Sequence, residues 1–110
     1  MPYDQSKVWK SDTTQQFAKV MVAIKSTNDM QNFIRDVMTE KEIIEISSRL
    51  EAARMLVDGK KYIEIVAKTK LSSRTIARIS DWLQNGCSGY QTALKTINQH
   101  HSHIPPVRAV

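Results

Sequence analysis

Cysteine is almost missing from this chain. Cys87 stands alone, which excludes an intrachain disulfide framework and CxxC metal sites and points to a reducing compartment. A charged-then-apolar leader pattern and any apolar run of about 18 residues are missing too, so the expectation is a soluble, cytoplasmic protein with no membrane span. Other absences bear on chemistry. No nucleophile stands at recognisable spacing from a base, no Gly-rich loop offers its amides to a phosphate, and no metal constellation is present, so an enzyme is not expected. His100, His101 and His103 come nearest to a ligand set. They lack carboxylate or cysteine companions and precede Pro105-Pro106, so 99–110 reads as a disordered tail rather than a metal site.

What is present suits one small domain. The 110 residues are 41% apolar, and a chain of this size buries a limited fraction of its surface, so help from a partner chain is expected. The net charge of +5 is distributed unevenly. Residues 1–58 carry eight Lys/Arg against nine Asp/Glu, a net of −1, whereas residues 59–110 carry eight against Glu64 and Asp81 alone, a net of +6. Six of those eight cations lie between Lys60 and Arg78. Each cation that neutralises a phosphate releases a condensed counterion, so such a cluster suits a duplex binder, although a solvated basic face has the same composition.

Residues 1–11 show no sustained periodicity and read as a loose arm, in which Val8 and Trp9 could dock on a partner. Asp12 or Thr13 can cap a helix to about Lys25, with Phe17, Val20, Met21 and Ile24 on one face. Thr27 or Asn28 starts a second helix carrying Met30, Phe33, Ile34, Val37 and Met38. Both helices have more apolar surface than they can hide, and burial in another subunit is expected. Thr39-Glu40-Lys41-Glu42 is a capping box. It opens a helix of roughly 27 Å, at about 1.5 Å per residue, whose stripe is Ile43, Ile46, Ser47, Leu50, Ala53, Leu56 and Val57. Gly59 supplies a left-handed stop.

The stretch from Lys61 to Leu83 then reads as two short helices around a tight turn, a helix-turn-helix extending to about residue 84. Ile63, Ile65, Val66 and Thr69 mark the first helix, Lys70, Leu71 and Ser72 the turn, and Ile76, Ile79 and Leu83 one face of the second. Ser72 or Ser73 can cap the second helix. An ordinary helical hairpin has the same apolar pattern. After Asn85-Gly86, a further helix carries Tyr90, Ala93, Leu94 and Ile97.

The capping box at Thr39, the run Arg49-Leu50-Glu51-Ala52-Ala53-Arg54-Met55-Leu56 with Asp58-Gly59-Lys60, and Thr75-Ile76-Ala77-Arg78 together resemble the tryptophan-repressor family, most of all its YerC/YecD branch. That resemblance implies an all-α fold of about six helices over residues 12–98, built as an intertwined homodimer whose two recognition helices enter successive major grooves. It also implies a pocket formed by Thr39, Arg49, Thr75 and Arg78, the positions matching those that hold an indole in tryptophan repressors. Ile79 replaces a glycine beside that pocket, and Trp82 replaces a serine that helps to hold the ligand's amino group. Lost volume and a lost polar partner imply no tight L-tryptophan binding; no cofactor is expected, and the sequence leaves open whether another small effector uses the pocket. Lys70 stands where the turn usually has glycine, at a cost of order 1 kcal/mol if its backbone is left-handed.

The expected function is sequence-specific transcriptional regulation, with Lys60, Lys61, Lys68 and Lys70 on phosphates of double-stranded DNA, Ser72, Ser73, Arg74, Ala77 and Arg78 in or near the groove of a palindromic operator, and repression as the outcome. Arg74 is the candidate for direct base readout, since a guanidinium meets guanine bidentately. The alternative is a helical adaptor whose basic face meets an acidic protein.

Overall fold

The structure, a computed structural model, describes the backbone of residues 6–103 and the side chains of residues 6–98. Helices and turns account for its regular structure, with no strand among the described residues. A 3-10 turn at Ser6–Lys10 precedes α1 (Asp12–Ala23), α2 (Thr27–Val37), α3 (Glu40–Val57), α4 (Tyr62–Thr69), α5 (Ser73–Asn85) and α6 (Gly89–His103). The chain divides into two compact units at Ser47/Ser48, within α3.

In the first unit, part of the expected loose arm is ordered by α1. The Thr14 hydroxyl donates to the Val8 carbonyl at 2.6 Å and the Gln15 amide to the Trp9 carbonyl at 2.7 Å. Residues 1–5 of that arm lie outside the described residues. Ser11, rather than Asp12 or Thr13, caps α1 by accepting from the Thr14 amide, and Ser26 caps α2 by accepting from the Asp29 amide, each at 3.1 Å. Phe17 and Phe33 bring α1 against α2, their ring centroids 6.2 Å apart. Yet neither helix contains a buried residue. Val20, Val22 and Val37 are exposed, as are Ile44 and Ile46 at the start of α3. The capping box there is closed in both directions: Thr39 N–H donates to Glu42 Oε1 at 2.9 Å, and Glu42 N–H to Thr39 Oγ1 at 3.1 Å.

The core of the second unit joins Ala52, Ala53 and Met55 of α3 to Ile65 of α4, Ile76 and Ile79 of α5, and Leu94 of α6. Leu50, Leu56, Val66, Leu71, Leu83, Tyr90 and Ile97 pack around it. The stripe expected on α3 is thus displaced. Ala52 and Met55 belong to the buried face, while Ile46 and Val57 are 53% and 63% exposed. Only the half of α3 after Ser47 belongs to this unit, so one continuous stripe does not describe the helix. Ile63, taken with Ile65 as a mark of α4, is 76% exposed. Gly59 ends α3 at φ 82°, with Gly59 N–H donating to the Leu56 carbonyl and Lys60 N–H to the Met55 carbonyl, the paired bonds of a left-handed C-terminal cap.

Thr69 is the buried polar member of this unit's described core. Its hydroxyl donates to the Ile65 carbonyl at 2.7 Å and accepts from Leu71 N–H at 3.2 Å, so it fastens the end of α4 to the following turn. Thr69→Val keeps the shape and leaves the Leu71 amide without its acceptor. Because an unpaired, partly buried amide keeps its desolvation penalty, a loss of about 1–3 kcal/mol is expected in denaturant unfolding. Beyond the core, α6 remains helical to His103, past the residue 99 boundary expected for a tail. Residues 104–110 of that tail and the side chains of its three histidines lie outside the described residues.

Candidate nucleic-acid interface

The site is assembled by α4, α5 and the turn between them. Glu64 starts α4 by accepting from Lys61 N–H at 3.0 Å. The helix ends at Lys70, whose φ of 65° and ψ of 11° are left-handed and whose N–H donates to the Val66 carbonyl at 2.9 Å. Lysine therefore occupies the backbone region that glycine usually supplies, as expected for this turn. Ser72 is the N-cap of α5, its hydroxyl accepting from Thr75 N–H at 3.1 Å. Ser73 is the first residue of the helix.

Burial divides α5 by role. Ile76 and Ile79 are in the core and Leu83 packs beside them, which holds the opposite side of the helix outward. Ser72, Ser73, Arg74, Ala77 and Arg78 are all exposed, as are Lys60, Lys61, Lys68 and Lys70. No acidic residue lies in the first turn of α5, so its free amides and its cations act in the same electrostatic sense. Lys68 differs from the other lysines. Its ammonium lies 3.8 Å from Glu51, which also receives a bidentate bond from Arg54 at 2.7 and 3.0 Å. The Arg54 guanidinium, with lesser help from Lys68, holds the Glu51 carboxyl below the usual carboxylate range, against a smaller opposing effect of burial. Arg54 also reaches Asp58 at 3.0 Å.

Arg49, Thr75 and Arg78 line one cavity of about 320 Å³ together with Ile79, Trp82 and Tyr90. Thr39, grouped with them from the resemblance, closes the cap of α3 in the first unit. Tyr90 could not be assigned to this cavity from spacing, because the loop after α5 decides where α6 returns. Burial raises the pKa of its phenol, and nearby Arg49 partly opposes that rise. Gly86 is also part of the arrangement. Its φ is −88°, so left-handed freedom does not explain it; a Cβ there would fall 2.6 Å from both Cε3 and the carbonyl oxygen of Trp82. The missing side chain leaves room for the indole at the end of α5. The Gln91 amide donates to the Leu83 carbonyl and fixes the start of α6 to the same end.

Among the described residues, no cluster of His, Cys, Asp or Glu could hold a metal ion, and no helix is long and apolar enough to cross a membrane. Cys87 is exposed.

Comparison with known proteins bears on the fold and the family. The family model described as Trp repressor protein matches residues 12–98. The uncharacterised protein YerC of Bacillus subtilis is 33% identical over 79 residues, covering 72% of this chain and 76% of YerC. The crystal structure of a TrpR-like protein from Eubacterium eligens superposes with a TM-score of 0.79 at 29% identity, covering 84% of this chain and 95% of that one. A candidate Trp repressor from Staphylococcus aureus gives a TM-score of 0.80 at 25% identity, covering 87% and 96% respectively.

Proposed function

The chain belongs to the Trp repressor family, and on that premise we propose that it is a sequence-specific DNA-binding transcriptional regulator, acting as a repressor on a palindromic operator. Family membership supports a DNA-binding regulator rather than an enzyme. The observation that carries the finer reading is the coincidence of two features on residues 60–78, which span α4, the turn and the start of α5: the chain's concentration of positive charge, and nine outward-facing residues suited to phosphates and base edges. Lys60, Lys61 and Lys68 contact phosphates from the first helix and its approach. Ser72, Ser73, Arg74, Ala77 and Arg78 enter or border the major groove, with Arg74 reading a base. The regulator works in the cytoplasm as a homodimer. Supporting the dimer are α1 and α2, which bury none of their residues within the chain and leave valines on the surface.

Duplex affinity measured against salt tests the DNA-binding part of this function. Phosphate binding gives a logarithmic slope of about −0.9 per contact, so several contacts make the fall steep. A basic adaptor that recognises an acidic protein would give no such duplex binding.

The cavity does not require L-tryptophan. Two guanidiniums line it and no carboxylate does, so it offers a ligand's carboxylate charged partners but offers its ammonium no opposite charge. Ile79 occupies volume beside it, and Trp82 contributes a ring where a hydroxyl would have accepted a bond. Calorimetric titration with L-tryptophan is expected to show no micromolar saturation; saturation in that range would contradict this account of the pocket.

A further inference from the structure

We propose that the helix-turn-helix gives up fold stability at Lys70 in order to place a phosphate-binding ammonium in its turn, so that Lys70 is a determinant of duplex affinity. This inference rests on the DNA-binding reading.

The starting point is the backbone. Lys70 and Ser88 are the non-glycine residues with positive φ among those described, at 65° and 69°. For an L-residue this region brings Cβ too close to the backbone, and glycine avoids the cost. At Lys70 the conformation is imposed from both sides. Lys70 N–H is held by the Val66 carbonyl, and the next amide, Leu71 N–H, is held by the buried Thr69 hydroxyl. These two bonds hold the turn left-handed around Lys70. Strain that surrounding bonds sustain is common at functional sites, but strain alone does not identify one.

Charge distinguishes the two positions. Ser88 lies before α6, where its carbonyl accepts from both the Thr92 amide and hydroxyl at 3.1 Å. Lys70 is exposed between Lys68 and Arg74, two residues before the N-cap of α5. Lys68 is partly engaged by Glu51 at 3.8 Å, which makes a further cation in this turn more consequential. Glycine at position 70 would relieve the backbone and remove the charge.

Thermal unfolding and salt-dependent binding to a labelled random-sequence duplex should be measured for the full chain and for Lys70→Gly, Lys70→Asn and Lys70→Arg. Lys70→Gly and Lys70→Asn are expected to melt above the unsubstituted protein, because both residues tolerate left-handed backbone. They should bind the duplex more weakly, with the salt slope reduced by about 0.9 for each bound copy of the chain. Lys70→Arg should retain the original slope without the gain in melting temperature. An unchanged slope in the two neutral variants, alongside a steep slope in the unsubstituted protein, overturns the role of Lys70 alone. An unchanged or lower melting temperature in both variants overturns the stability part. If the unsubstituted protein shows no salt-dependent duplex binding, the DNA-binding reading fails and this inference falls with it.

Discussion

Ile76→Ala is expected to lower the unfolding free energy by about 2–5 kcal/mol, the range for deleting buried aliphatic carbon from a packed core. Ile76 has no exposed surface and shares its cluster with residues from α3, α4 and α6. The lost atoms therefore leave a cavity bordered by several elements, and no single side chain can relax to fill it. Since small domains are stable by only about 5–15 kcal/mol, the loss would remove a large part of the total. Ile63→Ala provides the comparison, because Ile63 is on the exposed side of α4 and a surface substitution normally changes stability by about 0.5 kcal/mol or less. Denaturant midpoints at a fixed protein concentration check both values, a condition required because association stabilises a dimer by mass action. Equal losses at the two positions would contradict the assignment of the core.

Arg74→Ala is expected to reduce discrimination between operator and random duplex by about 5- to 150-fold, corresponding to about 1–3 kcal/mol for a bidentate contact to a base. Arg74 is exposed in the first turn of α5, while Ile76 and Ile79 anchor the other side of that helix. Its loss should therefore spare the fold. Lys61→Ala should instead weaken binding to both duplexes by a similar factor, because a phosphate contact carries no sequence information. Competition binding at constant salt separates the two patterns. Equal weakening on both duplexes by Arg74→Ala would remove Arg74 from base readout.

Local chemistry was the part of this structure most readable in the sequence. The reciprocal bonds of Thr39 and Glu42, the left-handed Gly59 and the cap at Ser72 each depend on a few neighbouring residues. The shift to Ser11 arose where Ser-Asp-Thr places several competent caps in succession, so residue type alone did not choose among them, whereas α2 starts at Thr27 as expected. Periodicity located the face of α5 but not that of α3. An apolar stripe shows that a helix has something to bury, and says nothing of which section is covered by which neighbour. The grouping of Arg49, Thr75 and Arg78 came from the family resemblance. The places of Tyr90 and Gly86 depend on how α6 returns after α5, a tertiary relation that no local spacing encodes.

The most direct measurement of the proposed function is selection of bound duplexes from a random pool by the full-length protein. The expected result is enrichment of a palindrome whose half-sites lie about one helical turn apart, as two symmetry-related recognition helices require. A pool that remains random after repeated selection, at salt low enough for duplex binding, would contradict sequence-specific regulation.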